Sequence, residues 1–108
     1  MKTIYIAGPY RAKTRLGVLL NILKARKAAK ELSKEGWCVF TPHMNTALFD
    51  GICSDKFWLD CGMEFLKRSD AIFLLKKWRL SEGAKEEYWY SCNYGKTMYY
   101  EVEGYPEP

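Results

Sequence analysis

The feature that most constrains the fold is the run Ala71-Ile72-Phe73-Leu74-Leu75, set between Ser69-Asp70 and Lys76-Lys77. It is uninterruptedly apolar and too short for a core helix. That is the pattern of a central strand in a parallel sheet, covered on both faces, rather than of a strand with one wet side. Such a strand needs helices above and below it, and the rest of the chain supplies them. Thr3-Ile4-Tyr5-Ile6-Ala7 reads as a first strand ended by the turn signal Gly8-Pro9. After a polar loop from Tyr10 to Thr14, Leu19, Ile22, Leu23, Ala29 and Leu32 recur at helical spacing, with Lys24, Lys27, Lys30 and Lys34 facing elsewhere and Gly36 as the stop.

Trp37 to Phe40 reads as a second buried strand ended by Thr41-Pro42. An irregular segment follows from His43 to Asp55, and Phe57 to Ser69 is helical in pattern, with Trp58, Cys61, Phe65 and Leu66 on one face. Beyond the apolar strand, Trp78 to Leu80 is a loop, Ser81 a good N-cap, Glu82 to Tyr94 a helix closed by Gly95, and Thr97 to Tyr100 a fourth strand. The expected architecture is therefore α/β: a parallel sheet of about four strands between helices on both faces, three layers in all, joined by right-handed crossovers. Residues 1–101 form one domain, and 102–108, with two prolines and no apolar pattern, a frayed tail. In such sheets ligands bind beyond the carboxyl ends of the strands, at the switch point. Those ends are Gly8-Pro9, Pro42-His43, the Lys77 to Gly83 loop and Glu101, where the unusual residues gather.

Composition excludes some partners. Net charge is +4 with no block of five like charges, which gives no footprint for nucleic acid, although a mild positive bias suits a small anion. No apolar stretch reaches membrane-spanning length, and no leader-like segment opens the chain. Cys38, Cys53, Cys61 and Cys92 lack the Cys-x-x-Cys spacing and His43 is the single histidine, so a zinc site is not expected and the cysteines read as reduced thiols in a cytoplasmic protein. Aromatics at 16% exceed what a core of this size needs and suit a pocket or a subunit interface.

Two motifs carry chemistry. In Gly8-Pro9-Tyr10-Arg11 the glycine lets backbone approach a ligand, the following helix N-terminus favours an anion, and Arg11 adds charge; a plain strand-to-helix turn explains the same residues. In Ser81-Glu82-Gly83-Ala84-Lys85-Glu86-Glu87, Gly83 and Glu87 lie one helical turn apart on one face, so a ligand resting on the glycine would meet the carboxylate. Glu87 has no lysine or arginine three or four residues away, and Glu86 points to solvent. His43 lies close enough to contact phosphate or base, although a single histidine is more often a structural hydrogen-bonding residue. Asn45 and Asp50 sit in the long irregular segment, where ligand contacts are common. Trp78 follows the third strand and could stack on a base or pack at an interface, and Asp70 orders the turn before that strand.

Tyr5-Ile6-Ala7-Gly8-Pro9-Tyr10, then Pro42-His43-Met44-Asn45-Thr46 with Phe49-Asp50-Gly51, then Ser69-Asp70-Ala71-Ile72 and Ser81-x-Gly83-Ala84-x-x-Glu87, in this order and spacing, resemble the nucleoside 2-deoxyribosyltransferase superfamily. The nearest resemblance is to its short branch, a domain family of unknown function found in bacteria and phages, over residues 2 to about 100. The resemblance implies a flavodoxin-like or Rossmann-like fold and cleavage of the N-glycosidic bond of a 2-deoxynucleoside or its 5′-phosphate. It implies Glu87 as the nucleophile at the anomeric carbon and Tyr5 as its orienter. Ser81 and Gly83 match positions lining the sugar or phosphate pocket, and Gly8 to Arg11 the wall on the base and sugar side. It implies no cofactor, and a homo-oligomer that often completes its sites across subunits.

One position departs from that pattern. The acid that protonates the leaving base falls at Gly62 here, on the inward face with Trp58, Phe65 and Leu66. Asp60 and Glu64 point about 200° away at ~100° per residue, and Glu64 is explained as a partner of Arg68. Either Asp50, His43 or a water supplies the proton, or catalysis is weak or absent. The expectation is an N-glycosidase or 2-deoxyribosyltransferase; the alternatives are a non-catalytic nucleotide sensor on the same fold and a structural accessory protein.

Overall fold

The computed structural model describes residues 1–45, 49 and 51–108. The elements are β1 (Thr3–Ala7), α1 (Arg15–Lys34), β2 (Cys38–Phe40), α2 (Pro42–Asn45), α3 (Asp55–Lys67), β3 (Ala71–Leu74), α4 (Glu82–Asn93) and β4 (Thr97–Tyr100). Short 3-10 turns follow β3 at Trp78–Leu80 and β4 at Glu101–Glu103. The four strands form one parallel sheet in the order β2-β1-β3-β4, with Tyr5 opposite Phe40 on one side and Ile72 on the other. The winding reverses between β1 and β3, so the switch point lies at the ends of these two central strands. This is the expected flavodoxin-like α/β architecture.

Strand alternation decides which side chains reach which layer. Ile4, Ile6 and Phe73 pack under α1 against Ala25, Ala28 and Leu32. Tyr5, Ala7, Ile72 and Leu74 face the opposite layer with Leu66 of α3 and Ala84 of α4. Each large side chain fully buried this way contributes about 1.5–3 kcal/mol. Every strand residue of β3 is buried, as its unbroken apolar run requires. The helices are started by hydroxyls that accept from otherwise unpaired backbone N–H groups: Thr14 from Gly17 (3.0 Å), Ser54 from Phe57 (3.2 Å) and Ser81 from Ala84 (3.1 Å). Such a cap is worth about 1 kcal/mol.

Four expectations are corrected. Helix α3 begins at Asp55, two residues earlier than the apolar pattern suggests, because Ser54 caps it. Part of the segment expected to be irregular forms the single helical turn α2. On α1, Leu19 and Leu23 are 45% and 57% exposed rather than buried. The buried residues of α1 all lie in its C-terminal half, and two of the three are alanines that admit close approach. The C-terminal segment is docked, not frayed: Tyr105 stacks on Phe73 at 5.5 Å and gives its hydroxyl to Glu101, and the Trp37 indole donates to the carbonyl of Pro106 at 2.8 Å. One aromatic and one indole donor sufficed without any apolar periodicity.

Candidate functional site

A cleft of about 1180 Å³ opens at the carboxyl ends of β1 and β2 and at the end of the loop that leads from β3 into α4, beside the first turns of α3 and α4. Two central residues come from opposite ends of the sequence. Tyr5 stands on β1, on the α3/α4 face, with its ring beside Phe40. Glu87 stands on the second turn of α4, 7% exposed, and its Oε2 accepts a hydrogen bond from the Tyr5 hydroxyl. Burial pushes the Glu87 carboxyl up to about 7, against the opposing effect of the Tyr5 hydrogen bond. Burial, together with the Glu87 charge, holds the Tyr5 phenol well above its ordinary value, so it stays a donor. The pair thus joins a neutral donor to a carboxyl that exchanges its proton near neutral pH. Ser91, one turn further along α4, closes the inner side by donating to the Glu87 carbonyl at 2.9 Å.

Gly62 of α3 lies directly behind this pair. A Cβ built there would stand 2.5 Å from the Tyr5 hydroxyl oxygen and 3.2 Å from Glu87 Oε2. The glycine is what lets the tyrosine reach the carboxylate, and no side chain fits at position 62 with that hydrogen bond in place. Position 62 faces inward as the helical spacing predicts, but Gly62 is buried behind the cleft and is not part of its lining.

Gly8, Pro9, Tyr10 and Arg11 line the cleft wall after β1, and Ser81 and Gly83 line it at the start of α4. Gly8 serves packing as well as access, since a Cβ there would fall 2.7 Å from the Cβ of Leu75. A Cβ at Gly83 would stand 3.6 Å from Leu59 and 4.0 Å from the Ser81 hydroxyl, ordinary contact distances. Arg11 is ion-paired with Asp55 at the exposed rim. His43 also lines the cleft, but its ring is buried and its Nε2 lies 2.9 Å from the carbonyl oxygen of Pro9 and 3.2 Å from that of Gly8. With Nε2–H donating there, the ring fastens the loop after β1, and burial keeps its pKa below the ordinary value. Its Nδ1 has no hydrogen-bond partner among the described residues.

Two sequence-derived candidates sit elsewhere. Trp78 is 8% exposed, stacked on Tyr88 at 4.6 Å with Arg79 over its ring, and does not line the cleft. It packs with Tyr5, Leu66, Leu74 and Ala84 in the layer between the sheet and α3/α4. Asn45 is exposed on α2 and is also away from the cleft. Asp50 lies outside the described residues. Asp70 accepts from the Thr3 backbone N–H at 2.8 Å and so orders the start of β1, as expected of it.

The sequence reading missed the contribution of α3. Asp55, Trp58 and Leu59 line the cleft from that helix. With Gly62 they repeat at i, i+3, i+4 and i+7, so extending the inward face of position 62 back two turns, to the residue after Ser54, would have found them. Asp60 also reaches the lining, paired with Lys56 at 2.8 Å, as do Glu82 and Glu86 of α4. Glu64 pairs with Arg68 at 3.3 Å, away from the cleft. Among the described residues no group of three or more His, Cys, Asp or Glu side chains could hold a metal ion, and no helix is long and apolar enough to cross a membrane.

The fold has a solved counterpart. The 2-deoxyribosyltransferase of the psychrotolerant bacterium Bacillus psychrosaccharolyticus superposes with a TM-score of 0.63 at 23% identity, over 91% of this chain and 70% of that one. At that identity the likeness establishes the flavodoxin-like fold. No curated protein matches the chain. A family model does match, over residues 2–100, from the start of β1 through the end of β4. The chain therefore belongs to the family described as Domain of unknown function (DUF4406).

Proposed function

We propose that this protein cleaves the N-glycosidic bond of a nucleoside, a deoxynucleoside or a nucleoside 5′-monophosphate, and that its family is a branch of the nucleoside 2-deoxyribosyltransferase superfamily. The observation that carries the reading is the Tyr5–Glu87 pair, a buried carboxylate held by a phenol in a cleft with room for a whole nucleoside. A glycosyl transfer proceeds through an oxocarbenium-like transition state, which a carboxylate on the opposite face stabilises and then captures. Glu87 is the nucleophile. Tyr5 aims it and favours its ionised form, and Gly83 leaves room for the sugar next to it. The Gly8 to Arg11 loop and Ser81 form the walls. Water taking the glycosyl group gives hydrolysis, and a second base gives exchange.

The same reading includes a homo-oligomer. Leu16, Leu19, Leu20 and Leu23 form an exposed stripe on α1, and light scattering should give at least twice the 12.6 kDa of one chain.

The test is release of free base from a panel of nucleosides and 5′-monophosphates, followed by chromatography. Release by the native chain and none by Glu87→Ala is the expected result; unchanged release by that variant overturns the reading. Gly62 favours a second reading, a sensor that binds without turnover. Thermal stabilisation by a nucleotide with no base released would select it.

A further inference from the structure

The cleft differs in charge from the molecule around it. The chain carries +4 overall, yet the described residues lining the cleft include Asp55, Asp60, Glu82, Glu86 and Glu87 against only Arg11 and Lys56. Both of those cations are already matched, to Asp55 and Asp60, and Lys85 holds Glu82 from outside the lining. Lys56 also feels the charge of Glu86, so two cations of the lining face four carboxylates, and the buried Glu87 has no ion pair among the described residues. A concave site with surplus negative charge concentrates cations and repels phosphate. The positive bias of the whole chain therefore does not extend to the site.

Proton supply points the same way. A neutral base leaves as an anion unless an acid protonates it. In this cleft most of the described candidates are committed elsewhere. Tyr5 donates its hydroxyl to Glu87, the Nε2 of His43 faces two backbone carbonyls, Asp55, Asp60 and Glu82 are paired with cations, and Glu86 lies in the field of Lys56. The position facing the pair from α3 is Gly62, where even a Cβ would collide with the Tyr5 hydroxyl.

Resting on the glycosyl-transfer reading, we infer that the preferred substrates are nucleosides with a cationic base, of the N-alkylpyridinium or N7-alkylpurine class, without a 5′-phosphate. Such a base needs no proton. A Glu87 oxygen bonds to the anomeric carbon as the C–N bond breaks, and the electron pair of that bond neutralises the ring nitrogen, so the base leaves uncharged. Water then attacks the same carbon, the carbon–Glu87 bond breaks with its pair returning to the carboxylate, and the proton of the water passes to solvent. The sum is cationic nucleoside plus water giving neutral base, free sugar and one proton.

Two measurements on the full chain test this. Base release is followed with nicotinamide riboside and 7-methyl-2′-deoxyguanosine against thymidine and 2′-deoxyguanosine, each with buffer and Glu87→Ala controls. The cationic pair should exceed the neutral pair by roughly 100-fold in kcat/KM, the lower end of what a general acid supplies. Because a cationic base is also intrinsically a better leaving group, binding is measured separately by calorimetry on Glu87→Gln, using nicotinamide riboside and its uncharged dihydro form. The cation should bind more tightly, and added salt should erase the difference. Equal affinity, or Glu87-dependent release from neutral nucleosides as fast as from cationic ones, overturns the inference and leaves the glycosyl-transfer reading standing. No Glu87-dependent release from either class overturns both.

Discussion

Replacing Glu87 by glutamine should stabilise the fold, and only where the carboxyl would otherwise be ionised. Burial raises this group from 4.5 to about 7, which at about 1.4 kcal/mol per tenfold change in proton affinity is about 3 kcal/mol. The sign follows from proton uptake. The folded state holds the proton more tightly than the unfolded chain, so the favourable contribution is complete below pH 4.5 and is lost as pH rises through about 7. Glutamine keeps the shape and an oxygen for the Tyr5 hydroxyl but never ionises. Native chain and Glu87→Gln should melt together at acid pH. They should diverge across this window and differ by roughly 10 °C at alkaline pH, for a domain in which 1 kcal/mol shifts Tm by about 4 °C. Thermal unfolding followed by circular dichroism across this pH range reads the difference directly, and titrations elsewhere in the molecule cancel in the comparison. A difference that stays constant with pH, or a variant less stable at alkaline pH, would refute a buried carboxyl held near neutrality.

Three further outcomes follow from the same geometry. Tyr5→Phe removes the hydrogen bond that favours the Glu87 carboxylate, so the midpoint of base release against pH should move upward and the loss should be larger at acid than at alkaline pH. A merely structural tyrosine would leave that midpoint in place. Gly62→Ala puts a methyl 2.5 Å from the Tyr5 hydroxyl and should cost about 1–3 kcal/mol in chemical denaturation, together with base release. Tyr105→Ala removes the stack on Phe73 and should cost about 1–2 kcal/mol, less than full burial of a side chain would, with base release retained below the melting temperature.

What was legible in the sequence was what the strand and helix periods encode. The wholly apolar run at 71–75 fixed a central strand, and the turn residues Gly8-Pro9 and Ser81 located the strand-to-helix loops that become the cleft wall. The Tyr5–Glu87 contact could not be read this way. It joins residues 82 positions apart, and periodicity carries no information on pairing between elements; the resemblance supplied it. Periodicity misled on α1, because an apolar stripe records which face avoids water and not what covers it, so Leu19 and Leu23 looked buried. It misled again at the C-terminus, where Tyr105 and the Pro106 carbonyl dock through a ring stack and one hydrogen bond, neither of which leaves a repeat. Trp78 illustrates a third limit, since position at a strand end does not say whether a ring faces the cleft or the layer beneath it. The acidic lining was missed because it comes from single residues on two helices, each unremarkable on its own wheel.

The central claim is a covalent bond between the Glu87 carboxylate and an anomeric carbon. The measurement that reaches it most directly is peptide mapping by mass spectrometry after incubation with a nucleoside fluorinated at C2′. The fluorine disfavours the oxocarbenium-like transition state and so slows the breakdown of any glycosyl-enzyme. A sugar-sized mass increase on the peptide bearing Glu87, absent from Glu87→Gln, is the predicted result. Base release with no adduct on that peptide, or with the adduct on another residue, would contradict the account.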